Sequence, residues 1–246
     1  MQWSFKRQLF FALSFLLIVL LVLGGVWYFF FYHPPTCFDG IKNQDEQGID
    51  CDGSCNLVCE APRISAQWAR SVQVAPGVYH AVAMIRNPES GAGTQALPYT
   101  FQLFDEKNIL IAERRGVTFL KPGETVPVFE PNIVTGERNP TRTFIVFGQA
   151  TWTTMDRVST PVAIVSRELD QQALILKADI ENTLASPVGP VVLTSLLYDV
   201  NDILITASQT KIERMQGRVK ETVVFTWQDV FSRPVVRTEI VARIQE

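Results

Sequence analysis

From Leu9 to Tyr32 the chain runs for 24 residues without a charge, and almost all of them are apolar. No soluble fold of ordinary size needs such a stretch. As a helix rising 1.5 Å per residue it would span roughly 36 Å, enough to cross a hydrocarbon layer of about 30 Å with some tilt. A helix also pairs its own backbone polar groups, which a bilayer interior demands. Lys6 and Arg7 precede the run, and the next basic residue is Lys42. The excess of positive charge on the N-terminal side predicts a cytoplasmic N-terminus, residues 1–8, and a body outside the membrane. Trp3 on one side and Trp27, Tyr28 and Tyr32 on the other suit the two headgroup layers. A cleaved signal peptide would have a shorter apolar region ending in small residues. Here the run ends in bulky aromatics, Trp27 to Tyr32, which favours an uncleaved anchor over residues 9–32.

His33-Pro34-Pro35 stops the helix, since proline cannot continue one. All four cysteines of the chain follow within a short segment, Cys37, Cys51, Cys55 and Cys59. An even cluster on the outer side of a membrane predicts two disulfides, with three pairings open. Residues 33–61 thus read as a stapled stalk too short to build a core of its own. Asp39, Asn43, Asp45, Glu46, Asp50 and Asp52 offer oxygen atoms to calcium, although their spacing is not that of an EF-hand loop. A four-thiolate zinc site would need two close cysteine pairs, and the gap from Cys37 to Cys51 does not supply one. The segment resembles a short extracellular motif, C-x-D-G-x-x-N-x-x-E-x-G-x-D-C-G-G-x-C. Cys37, Asp39, Gly40, Asn43, Glu46, Gly48, Asp50, Cys51, Gly53 and Cys55 match it, and Asp52 replaces its first paired glycine.

The remainder carries an internal repeat. Phe101-Gln-Leu-Phe-Asp105 followed by Ile109-Leu-Ile111 aligns with Ser195-Leu-Leu-Tyr-Asp199 followed by Ile203-Leu-Ile205, at an offset of 94 residues. Each aspartate ends a strand and opens a turn. Upstream, Asn87 and Asn182 each end a strand before a loop of small residues. Downstream, Leu120-Lys-Pro-Gly-Glu-Thr-Val126 parallels Met215 to Val223. Asp105 and Asp199 are expected to accept backbone N–H groups and fix the hairpins, a structural role. Alternation such as Tyr99-Thr-Phe101-Gln-Leu103 predicts six or seven short strands per copy, with no more than one helical turn in 210–220. The expected fold class is mainly β: one N-terminal transmembrane helix, then two tandem antiparallel immunoglobulin-like sandwiches over 62–149 and 150–246. Trp68, Trp152 and Trp227 are expected to pack in cores or at sheet edges.

The repeat resembles the FxLYD domain, an immunoglobulin-like fold related to the late-embryogenesis-abundant type-2 and similar bacterial envelope sandwiches. Phe104 stands for the motif's tyrosine in the first copy, and Ser195 for its phenylalanine in the second. The resemblance implies a fold and an envelope setting. It brings no catalytic residues.

Nothing in the chain predicts catalysis. His33 and His80 are the two histidines, and neither stands in a nucleophile, metalloprotease or nucleotide-binding context. The net charge of −3 argues against nucleic acid as a partner. The reading is therefore a non-enzymatic, single-pass protein of a bacterial cell envelope, without cofactor. Its expected partners are the lipid bilayer and an envelope protein or surface polymer, met through sheet edges or loops. The alternative is a scaffold or assembly subunit of a secretion or pilus type complex, docking through a helix contact at Gly24-Gly25.

Overall fold

The computed structural model describes residues 2–31, 36–157 and 159–244, with side chains from 7 to 30 within the helix. The chain falls into two units, Met1–Cys55 and Asn56–Glu246. The expectation of a mainly β chain with one N-terminal apolar helix and antiparallel sandwiches holds.

In the first unit, helix α1 spans Gln2–Phe31. It begins seven residues before the uncharged run, because nothing in Gln2 to Gln8 breaks a helix and Gln, Lys and Arg propagate one well. Its apolar, membrane-length window is Arg7–Phe30, and none of that window is buried. Tyr32 and the expected stop at His33-Pro34-Pro35 lie outside the described residues, as do the side chains of Trp3 and Lys6. Residues 36–55 form a turn-rich loop with one isolated bridge, Gly48 to Cys51.

Among its described residues the second unit holds thirteen strands: β1 (Ser65–Ala75), β2 (Val78–Arg86), β3 (Ala92–Phe104), β4 (Leu110–Leu120), β5 (Thr125–Val134), β6 (Arg142–Phe147), β7 (Thr153–Thr154), β8 (Val162–Asp170), β9 (Ile175–Asn182), β10 (Val191–Tyr198), β11 (Leu204–Ile212), β12 (Lys220–Thr226) and β13 (Arg237–Ile244). Sheets β1-β2-β5 and β4-β3-β6 make one sandwich, and sheets β8-β9-β12 and β11-β10-β13 make the other. The connectivity is the same in both, strand for strand. The short β7 pairs with the start of β3, so the first sandwich takes up residues beyond 149. The segment between β11 and β12 holds no helical turn. Val188 and Met215 bridge there instead.

Alternation builds each core. Tyr99, Phe101 and Leu103 of β3 face Ala81, Ala83 and Ile85 of β2 across the first sandwich. Leu176, Ala178 and Ile180 of β9 face Val191, Leu193 and Leu197 of β10 across the second. Phe101 and Phe225 are the largest wholly buried side chains. Burying a side chain of that size contributes roughly 2–3 kcal/mol before entropy is counted.

A third cluster joins the two sandwiches. Val82 and Met84, on the other face of β2, meet Leu196 and Tyr198, on the other face of β10, with Leu204 and Ala207 beside them. Sheet β1-β2-β5 therefore packs outer face to outer face on sheet β11-β10-β13. Strands β2 and β10 are covered on both sides, which is why almost every residue in them is buried.

Candidate interaction surfaces

The face-to-face contact is pinned by Arg243. This side chain, 5% exposed, leaves β13 of the second sandwich and enters the first. Its guanidinium lies 3.9 Å from the centre of the Phe119 ring. It donates to the Phe119 carbonyl, to Thr118 Oγ1 at 3.1 Å and to Glu124 Oε2 at 3.4 Å. Burial pushes the guanidinium pKa down, and Glu124 opposes that shift. A buried cation is tolerable here because a carboxylate, a ring face and a carbonyl together replace its water.

Beside this contact the sandwiches part to leave a cleft of about 960 Å³. Val72, Val74, His80 and Phe129 line one side, and Trp227 and Phe231 line the other. His80 is held in place. Its Nδ1 accepts the Asn132 N–H at 3.1 Å, and its ring sits edge-on to Phe129 at 5.1 Å. Burial lowers its pKa below the ordinary histidine value. Its Nδ1 is thus engaged in holding β2 to β5.

The turn aspartates occupy matching positions. Asp105 Oδ1 accepts the N–H groups of Lys107 and Ile109, both at 2.9 Å. Asp199 Oδ1 accepts those of Asn201 and Ile203, again at 2.9 Å. Each turn closes through a residue with positive φ, Asn108 at 61° and Asp202 at 56°. Asparagine and aspartate tolerate that conformation better than most residues. The second carboxylate oxygen meets an arginine in both places, Arg138 at 3.5 Å and Arg233 at 2.7 Å. The hydrogen bond from Arg233, helped by the Ile203 N–H, holds the Asp199 carboxyl below the usual range. Sequence reading missed both arginines. Their shared distance from the aspartate, 33 residues in one copy and 34 in the other, is the signal that marks them.

Asn87 and Asn182 are wholly buried and act as matching clips. Asn87 Nδ2 donates to the carbonyls of Ala92 and Lys121, and its Oδ1 accepts the Glu89 N–H. Asn182 Nδ2 donates to the carbonyls of Ser186 and Gln216, and its Oδ1 accepts the Leu184 N–H. Each side chain ties a strand end to the backbone of the loops beside it.

In the cysteine segment, Cys37 and Cys55 form a disulfide, and Cys51 and Cys59 are also disulfide-bonded. The acidic residues are occupied with the loop itself. Asp50 accepts the N–H groups of Asp39 and Gly40, at 3.1 and 2.9 Å. Asp39 accepts from Ile41 N and Asn43 Nδ2, and Asp45 accepts from Ser54 Oγ. That last bond lowers the Asp45 pKa. Asp52 has φ of 58°, the conformation for which the motif's glycine is suited. A side chain on the next residue, Gly53, would overlap the Asp45 carbonyl. Glu46, one of the oxygen donors expected from the sequence, is the buried member. Its Oε2 accepts the Asn43 N–H at 3.1 Å. Its Oε1 lies 3.2 Å from Cys55 Sγ, a contact rather than a hydrogen bond, since a disulfide sulfur has no hydrogen. Among the described residues, Cys37, Glu46 and Cys55 are the one gathering of three acidic, thiol or imidazole groups within 4.8 Å. Two of those three are disulfide sulfurs, which offer no thiolate.

No protein-family model matches the chain, and no curated protein matches it. Solved structures do. The CBD12 domains of CALX1.2 align at 11% identity over 68% of this chain and 75% of theirs, with a TM-score of 0.24. The calcium-binding domain CBD12 of CALX1.1 aligns at 11% over 74% of this chain and 80% of its own, with a TM-score of 0.22. Red sea bream transglutaminase aligns at 10% over 69% of this chain and 28% of its own, with a TM-score of 0.24. At such scores the likeness adds nothing to the topology described above.

Proposed function

We propose that the chain is a membrane-anchored, non-enzymatic binding module of a bacterial cell envelope, with its β body on the extracytoplasmic side. One observation carries this reading: helix α1 presents a 24-residue apolar window, none of it buried, joined to a well-packed β unit. Lipid is the environment that such a helix fits. The positive charges before the window favour an N-in orientation. The polar groups inside the β unit support binding over catalysis. Asn87, Asn182, Asp105, Asp199 and His80 each hold backbone together, so none stands ready for a substrate. The two stacked sandwiches share one apolar contact and so present their remaining surfaces together.

The test is membrane extraction followed by protease digestion from each side. The full chain is expected to resist alkaline extraction, and protease added outside is expected to reach the β unit. Release of a shortened chain that begins after the apolar window would show a cleaved signal and overturn the anchor.

A scaffold role in a membrane complex is the second reading. Gly24 and Gly25 favour it, because two adjacent residues without side chains let another helix approach closely. If that role holds, leucine at both positions abolishes co-purification with the complex while membrane insertion persists.

A further inference from the structure

The internal contact uses one outer face from each sandwich and leaves two outer faces free. They differ sharply. The outer face of β8-β9-β12 carries Lys177, Asp179, Glu181, Lys220 and Thr222, and it is satisfied within itself. Asp179 accepts from Ser166 and Thr222, and Lys220 lies 3.7 Å from Glu181. This is a solvated surface.

The outer face of β4-β3-β6 is mixed: a polar centre of Thr100, Gln102, Glu113 and Arg115, with Gln102 donating to Glu113 at 2.9 Å, is bordered by exposed apolar side chains. Register places it row by row. Pro98 lies beside Val117. Thr100 lies between Arg115 and Val146, Gln102 between Glu113 and Phe144, and Phe104 between Leu110 and Arg142. Val117 is 64% exposed, Phe144 and Val146 51% each, and Leu110 43%. Exposed apolar side chains gathered around a central pair of opposite charges, Glu113 and Arg115, are what a partner surface of matching pattern would cover. The equivalent face of the second sandwich, on β11-β10-β13, is the one already buried against a flat sheet.

We propose that the outer face of β4-β3-β6 is a self-association surface, through which two anchored copies of this chain pack about a two-fold axis. The proposal rests on the membrane-anchored reading. The face is self-complementary. An axis in its plane, crossing β3 between Thr100 and Gln102, sets Glu113 against the second copy's Arg115. The same axis sets Phe144 against Val146 and Val117 against Leu110. Charges meet opposite charges and apolar side chains meet apolar ones. Three strands by four rows cover about 400 Å² per copy at ordinary strand spacing. That is less than a soluble dimer uses, so confinement of both copies in one membrane supplies the effective concentration.

The test uses the full chain in phosphatidylcholine vesicles. Thr100→Cys is joined by a short bismaleimide, with Thr222→Cys on the charged face as control. Thr100→Cys is expected to give about tenfold more crosslinked dimer than the control, and adding Phe144→Glu is expected to remove the excess. Glu113→Arg and Arg115→Glu are each expected to weaken crosslinking, and their combination to restore it. Equal crosslinking at Thr100 and Thr222, or single and double charge variants that behave alike, would overturn the interface. Flotation of the same vesicles separates the two ideas. Protein that floats but does not crosslink sinks the interface alone, whereas protein that fails to float sinks the anchor and the interface with it.

Discussion

Arg243 and Phe119 belong to different sandwiches, yet the guanidinium carbon of one lies over the ring of the other, 3.9 Å from its centre. With Glu124 and the Phe119 carbonyl completing its surroundings, this arginine is the polar fastening of an otherwise apolar contact. Arg243→Ala is expected to destabilise the β unit by about 2–4 kcal/mol, because it strips Glu124 of its buried partner and opens a void. Arg243→Met should lose less, since it keeps the packing stem. Urea unfolding of the three proteins checks the order. A loss below about 0.5 kcal/mol for the alanine variant would mean that the contact stands without its cation.

Asn87→Ala and Asn182→Ala should each cost about 2–3 kcal/mol, since each leaves buried backbone groups unpaired. The sites share no partner, so the double variant should lose close to the sum. Chemical denaturation of the set measures both expectations. Near-neutral single variants would show that the loops find other partners.

His80 and a set of carboxylates, Asp199 among them, make stability depend on pH in the same direction. His80 has a folded pKa lowered by burial, so between that value and the ordinary 6.5 the unfolded chain binds a proton that the folded chain refuses. Its contribution is complete above 6.5 and is lost as the pH falls through the folded value. Asp199 has a folded pKa lowered by Arg233, so its contribution is complete above the usual carboxylate range and is lost as the pH falls through the depressed value. Thermal melts across pH should therefore show two separate steps. His80→Gln should flatten the one below pH 6.5 and leave the acid one. Asp199→Asn should reduce the acid one, to which Asp45 and Asp179 also contribute, and leave the step below pH 6.5.

Arg218 has φ of 55°, in the turn position where the first copy carries Gly123 with φ of 65°. An exposed arginine in that conformation is strained by about 1 kcal/mol, partly offset by the freedom glycine adds to the unfolded chain. Arg218→Gly should stabilise the protein by about 0.5 kcal/mol, read as a small rise in Tm. A fall in Tm would show that the Arg218 side chain makes a contribution of its own.

Much of this architecture is legible in the sequence for local reasons. An aspartate that caps its own turn and an asparagine that ends a strand act within a few residues of themselves, so Asp105, Asp199, Asn87 and Asn182 stand out. Alternation exposes the core faces of β3 and β9 in the same way. The stacking of the sandwiches has no such local sign, because burial on both sides erases alternation. Ala81 to Ile85 reads as an unbroken apolar run, and so does much of Val191 to Tyr198. Those runs were the available signal. Arg243 is illegible for the opposite reason. It shares the outward side of β13 with Arg237 and Glu239, and only a neighbouring sandwich turns that side inward. The patch on β4-β3-β6 becomes visible only when register brings Val117, Phe144 and Phe104 onto one face.

Strands covered on both sides have a bearing on how such a chain could be inherited. A free-standing sandwich can be copied, lost or moved between proteins without harm, because its surface is already made for water. Neither half of this molecule has that independence. Cut apart, the first would show Val82 and Met84 to solvent and the second Leu196 and Tyr198, and each would be prone to clumping. The pair is therefore the smallest portable piece, and substitutions at these four positions should be tolerated only in concert.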